Sequence, residues 1–140
     1  MQRSRNLHFV IDTWVLYRAR DGERKAIELL WNINEKCHKV SIDKIGEILK
    51  EYRSVPGVFI SRWLQVVSLR KIVKVNIRKR CKNLLNHKKD MKFVYVCLNC
   101  SSAKSIISEE YHFVNNRDEL LKKGIRVLSL DEALEVSKLP

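Results

Sequence analysis

Leu7-His8-Phe9-Val10-Ile11-Asp12-Thr13 is the stretch on which the reading of this chain turns. A short, almost continuous apolar run is how a strand looks when both faces of its sheet are covered. The run stops at an acid and a hydroxyl, so a buried strand would deliver Asp12 and Thr13 to its carboxyl end. In open α/β sheets that edge is where ligands bind.

Outward from this strand the pattern alternates. Ala26, Ile27, Leu29, Leu30 and Ile33 recur at helical spacing between Glu23 and Cys37, with Asp21-Gly22 as the start signal, which predicts a helix of about four turns. Lys39-Val40-Ser41-Ile42 is short enough for a second strand. Asp43 is placed to cap a helix that carries Ile45, Ile48, Leu49 and Tyr52 on its buried side and ends at Pro56-Gly57. Val58 to Leu69 is again helical in spacing. Ile72, Val73, Val75 and Ile77, interleaved with cations, fit helix or strand. Asp90 opens an apolar helix through Leu98, and Lys104 to Ser108 reads as a strand. A helix over Asp118 to Lys123, a strand over Ile125 to Ser129 and a capped terminal helix over Asp131 to Lys138 complete the series. Strands alternating with helices predict an α/β fold, a three-layer α/β/α sandwich around a central, mainly parallel sheet.

With 140 residues, 45% of them hydrophobic, the chain is expected to form one domain spanning residues 1–140. No apolar run approaches the roughly 20 residues that cross a bilayer, and the N-terminus carries charge where a secretory leader is apolar. A soluble, cytoplasmic protein with no membrane partner is the expectation. Cys97 and Cys100 form a lone C-x-x-C; without a second pair or a matching His pair, and inside an apolar run, the cysteines read as small hydrophobes rather than zinc ligands.

Lys and Arg number 28 against 16 Asp and Glu, a net charge of +12 that favours polyanions. No acid lies between Glu51 and Asp90, and Arg70, Lys71, Lys74, Arg78, Lys79, Arg80, Lys82, Lys88 and Lys89 crowd that interval. The first seven of these are the expected RNA-binding residues, contacting phosphates. Tyr95 and Trp63 are stacking candidates that equally fit a core.

Asp12, Glu51, Asp90 and Glu110 each fall at a strand end or on a helix facing the same sheet edge. Carboxylates brought together repel one another unless a cation neutralises them, and hard oxygen donors suit Mg²⁺ or Mn²⁺. Each acid has a plainer reading as well. Asp12 and Asp90 could cap helices, Glu51 could pair with Lys50 or Arg53, and Glu109 and Glu110 could be exposed turn residues.

The order of these motifs resembles a PIN domain over almost the whole chain, from Phe9-Val-Ile-Asp12-Thr13 to Val127-Leu-Ser-Leu-Asp131-Glu-Ala-Leu134. In that family a first acid follows the first strand, matched by Asp12. A second lies on a helix before a Tyr, matched by Glu51 in I-L-K-E-Y-R, with Glu47 one turn earlier as the competitor. A third opens the helix before the fourth strand, matched by Asp90. The fourth follows that strand, where this chain has Ile107-Ser108-Glu109-Glu110-Tyr111-His112-Phe113 and Glu110 stands for an Asp. Trp14 replaces the family's usual Asn. His112 is taken as structural, and Ser108 as a capping hydroxyl or a support for phosphate or water.

The resemblance implies a metal-dependent endoribonuclease, a hydrolase in which Asp12, Glu51, Asp90 and Glu110 hold Mg²⁺ or Mn²⁺ and catalyse RNA phosphodiester hydrolysis. It also implies pairing into homodimers and, in toxin-antitoxin members, an antitoxin-like protein partner. Two alternatives belong to other classes. One is an RNA-binding module that has lost catalysis with the altered fourth motif; the other is a protein-interaction subunit.

Overall fold

A computed structural model describes residues 7–81, 85 and 87–138. Five strands, β1 (His8–Ile11), β2 (Lys39–Asp43), β3 (Ile72–Val75), β4 (Ser105–Ile107) and β5 (Arg126–Leu128), alternate with helices α1 (Thr13–Arg20), α2 (Arg24–Glu35), α3 (Glu47–Arg53), α4 (Val58–Arg70), α5 (Met91–Asn99), α6 (Tyr111–Val114), α7 (Arg117–Lys122) and α8 (Leu130–Ser137). One 3₁₀ turn, Lys88–Asp90, leads into α5. All strand pairs are parallel, in the order β3-β2-β1-β4-β5. Helices flank the sheet, making the expected three-layer α/β/α sandwich. No helix among the described residues is long and apolar enough to cross a membrane.

The strand order reverses at β1. The chain steps from β1 to β2 and β3 on one side, then returns to place β4 and β5 on the other. Loops leaving β1 and β4 therefore diverge, opening a crevice at their carboxyl ends. Phe9, Val10 and Ile11 are buried, as an interior parallel strand requires. Because Ile11 pairs with Ile107, the next residues, Asp12 and Ser108, emerge side by side.

Helix α5 contains Phe93, Val94 and Val96, whose aromatic and β-branched side chains disfavour a helix by only a few tenths of a kcal/mol each. Burying such a side chain contributes roughly 1.5–3 kcal/mol. Phe93, Val94, Val96 and Cys97 are all fully buried, and α5 packs across β1, β2 and β4, so burial outweighs propensity. Burial also pushes the Cys97 thiol far above its usual range.

Local signals set most helix starts. Asp43 accepts hydrogen bonds from the backbone N–H groups of Gly46, Glu47 and Ile48 at 2.8–3.0 Å, capping α3 as expected. Gly46 takes the left-handed φ of +101° that this turn needs. Ser129 and Glu132 form a reciprocal capping box at α8. His38 is completely buried: its Nδ1 accepts from the Leu7 N–H and its Nε2 is 2.9 Å from the Ser137 carbonyl oxygen, tying α8 to the start of the sheet.

Several expectations need correction. Ile45 precedes α3 and is exposed, because the Asp43 turn delays the helix to Glu47. The ambiguous basic stretch begins as strand β3, paired along the full length of β2. Two helices had no counterpart in the sequence reading, α1 and the single-turn α6, because each begins immediately after a strand-end acid and the polar residues masked its start. Trp63 is core, its Nε1–H donating to the Leu30 carbonyl at 2.8 Å, so it offers no stacking face.

Candidate active site

Asp12, Glu51, Asp90 and Glu110 line one cleft of about 440 Å³ at the carboxyl ends of β1 and β4, together with Thr13, Trp14, Tyr17, Ser54 and His112. The four acids arrive from four different places: the end of β1, α3, the 3₁₀ turn before α5, and the end of β4. Glu47, the alternative to Glu51, is exposed on the first turn of α3 and lies outside the cleft lining.

Asp12 is only 5% exposed. Its carboxylate accepts a 2.6 Å hydrogen bond from the Ser108 hydroxyl, which in turn accepts from the Glu110 N–H at 3.0 Å. Ser108 therefore orients the first acid and anchors the loop bearing the fourth. Burial pushes the Asp12 carboxyl up to about 7; the Ser108 hydrogen bond opposes this, and the nearby Asp90 charge adds to it. Asp90 is also raised, first by burial, with His112 and Lys92 pulling it back. Asp12 and Asp90 do stand at the N-cap positions of α1 and α5, though without a regular side-chain capping hydrogen bond. The Trp14 backbone N–H also draws the Asp12 carboxyl down, so capping and cleft roles coexist at Asp12.

Glu51 accepts from the Thr13 hydroxyl, and its other oxygen lies 2.9 Å from Lys92 Nζ. The expected local partners, Lys50 and Arg53, give way to this cross-helix contact, because α3 presents Glu51 toward α5. Lys92 also donates to the Lys89 carbonyl at 2.6 Å. On the opposing flank, His112 Nε2 sits 3.6 Å from Asp90 and 3.5 Å from Glu110. His112, read from sequence as structural, thus belongs to the cleft. Its Nδ1 is buried without a partner. Glu109, by contrast, turns away and accepts from the Leu130 N–H at the start of α8.

The donor chemistry suits a hard divalent cation, since carboxylates held together in a buried cleft gain from an added positive charge. As the side chains stand, Lys92 supplies part of that charge, His112 Nε2 faces Asp90 and Glu110, and among the described residues no group of three or more His, Cys, Asp or Glu is arranged to hold an ion. Lys92 thus acts as an internal counter-ion. For a cleft that takes up Mn²⁺, Lys92→Met is expected to raise the affinity roughly tenfold at low ionic strength, by removing a competing charge beside Glu51. Calorimetric titration of both proteins measures this; equal affinities would show that Lys92 does not compete.

Tyr52 reinforces the frame. Fully buried, it donates its hydroxyl to the Ile11 carbonyl, linking the residue after Glu51 to the residue before Asp12. Tyr52→Phe is expected to cost about 1 kcal/mol in urea denaturation, the net worth of one buried hydrogen bond.

Arg70 and Lys71 precede β3 and so stand at its amino end, the edge opposite the cleft; Lys74 lies within the strand, and Arg78, Lys79 and Arg80 follow it from the carboxyl edge. Arg70, Lys74, Arg78, Lys79 and Arg80 are exposed, whereas Lys71 is tied to Asn34 by two 2.7 Å hydrogen bonds. The Arg80 guanidinium lies 5.3 Å from the Tyr95 ring centroid. Asn99 accepts from the Arg78 and Lys79 N–H groups, holding this stretch against α5. Lys82 lies outside the described residues. Lys92, Trp14 and Tyr17 were missed in the sequence; the helical spacing of Trp14, Tyr17 and Arg18 directly after Asp12 was the available signal. Neither the protein-family models, nor the curated proteins, nor the solved structures contain a match to this chain.

Proposed function

We propose that the protein is a divalent-metal-dependent endoribonuclease of PIN type, hydrolysing RNA at the carboxylate cleft. The observation that carries this is the meeting of Asp12, Glu51, Asp90 and Glu110, distant in sequence, in one cleft at the switch point of a parallel sheet. A bound Mg²⁺ or Mn²⁺ would supply positive charge to the scissile phosphate and a more acidic attacking water. The chain itself contributes orientation: Ser108 aims Asp12, Thr13 and Lys92 aim Glu51, and the exposed cations after β3 offer contacts to the flanking phosphates. The net reaction adds water across one P–O bond, and no protein nucleophile is required.

Cleavage of single-stranded RNA in Mn²⁺ or Mg²⁺, compared between wild type and Asp12→Asn, tests the proposal. Activity lost in the variant supports it, and equal activity in both removes it.

A second reading is an RNA-binding module without hydrolysis. It is favoured by the pairing of Glu51 with Lys92 and of Asp90 and Glu110 with His112, which occupies the carboxylates internally. Salt-sensitive RNA binding with no cleavage in any divalent metal, persisting in Lys92→Met, would select it.

A further inference from the structure

Helix α1 completes its core contacts with Val15, Leu16 and Ala19, leaving Trp14 half-buried and Tyr17 39% exposed on the lip of the carboxylate cleft. Core packing thus explains one side of the indole and little of the phenol. With Arg18, these residues stand at the i, i+3 and i+4 positions that share one helix face. Each ring already carries a flat cation: the Arg18 guanidinium is 5.1 Å from the Trp14 centroid and the Arg20 guanidinium 5.1 Å from that of Tyr17. Trp14 thus has a face that a planar group can reach once Arg18 moves, and Tyr17, held by Arg20 on one side, keeps a partly exposed ring.

We propose that Trp14 and Tyr17 form a stacking surface for one unpaired nucleobase next to the phosphodiester bound at the cleft, with Arg18 released onto a neighbouring phosphate. This rests on the reading of the cleft as a nucleic-acid site and names the part of the substrate that it recognises. Arg18 is the more weakly held member: its side chain is half exposed, and its acidic partner Glu23 is 3.7 Å away. Arg20 is fixed by paired contacts to Asp21 at 2.8 and 3.0 Å, and so backs Tyr17 without leaving it. A base stacks on an aromatic ring more strongly than an exposed guanidinium does, and a displaced guanidinium regains a partner in the phosphate. Bases inside a duplex have both faces covered, so this surface selects single strands. The cleft, at about 440 Å³, is near the small end of ligand sites, the scale of one nucleotide.

The test measures binding of a short fluorescein-labelled single-stranded RNA, and of a hairpin duplex of the same composition, in EDTA so that no hydrolysis intervenes. Tyr17→Ala and Trp14→Ala are each expected to weaken single-strand binding about five- to hundredfold while leaving duplex binding unchanged. Trp14→Phe, which keeps a ring and protects against a folding defect, is expected to stay within about threefold of wild type. Unchanged single-strand affinity in folded Tyr17→Ala overturns the proposal, as does an equal loss for duplex and single strand. Its fate is separable from that of the nuclease. A protein that stacks RNA through Trp14 yet cleaves it in no divalent metal keeps this surface and loses the enzyme; one that cleaves with an unaltered KM in Tyr17→Ala does the reverse.

Discussion

On the proposed nuclease reading, Asp12→Asn is expected to abolish metal-dependent RNA cleavage and, in the same molecule, to make the metal-free fold more stable. Loss of a contact that merely supports a metal ligand lowers affinity or activity about 10–100-fold. Removal of the most buried carboxylate of the cleft should exceed that. The stabilisation follows from the folded-state carboxyl being pushed up to about 7, from an ordinary value of 3.8, chiefly by burial. Between those two pH values the unfolded chain binds fewer protons than the folded one. Wild-type stability therefore falls as pH rises through this window and levels off above it. At about 1.4 kcal/mol per pH unit the full penalty is at most about 4 kcal/mol, reduced by relaxation around the site. Asparagine carries no charge and escapes it, while its amide oxygen still accepts from Ser108. Urea denaturation in EDTA at pH 5 and pH 8 should show the variant's advantage growing toward the higher pH. A constant difference between the two would mean that Asp12 is not held in a destabilised ionised form. Saturating Mn²⁺ should narrow the gap at pH 8, because only the wild type gains the ligand's binding energy.

Asp43→Ala is expected to destabilise the start of α3, costing about 2–4 kcal/mol. Asp43 is 5% exposed and accepts three backbone N–H groups, from Gly46, Glu47 and Ile48. Loss of a helix cap alone costs about 0.5–2 kcal/mol, and each N–H left buried without a partner adds about 1–3 kcal/mol, softened where water can enter. Gly46 and Glu47 are partly open to solvent, whereas Ile48 is buried, so the Ile48 N–H carries most of the added cost. Asp43→Asn, which keeps one acceptor oxygen, should lose roughly half as much. The effect reaches the cleft because α3 also carries Glu51 and Tyr52. Hydrogen exchange should accelerate across Glu47–Arg53 before it does in the central strands. Unaltered urea stability would show that these three hydrogen bonds are replaced by water at no cost.

The layered α/β architecture was legible because each signal was local. Phe9, Val10 and Ile11 announce a strand buried on both faces, Ala26 to Ile33 an amphipathic helix, and Asp43 a cap whose partners lie within five residues. Asp12 was legible for the same reason: the abrupt end of an apolar strand marks the edge at which α/β sheets bind ligands. Helix α1 was not, since its start coincides with the strand's polar end and its exposed face is aromatic and basic rather than plainly polar.

Composition and periodicity by themselves determined the fold class, the excess of positive charge after Glu51 and the short list of carboxylates. Tertiary structure alone decided that Glu51 rather than Glu47 faces the cleft, that Lys92 and not Lys50 or Arg53 neutralises it, and that His112 stands between Asp90 and Glu110. The division has one physical cause. Hydrophobic spacing and capping are read out over one or two turns of chain, whereas ion pairs joining residues 41 apart depend on how two helices pack across a sheet, and no local pattern encodes that orientation.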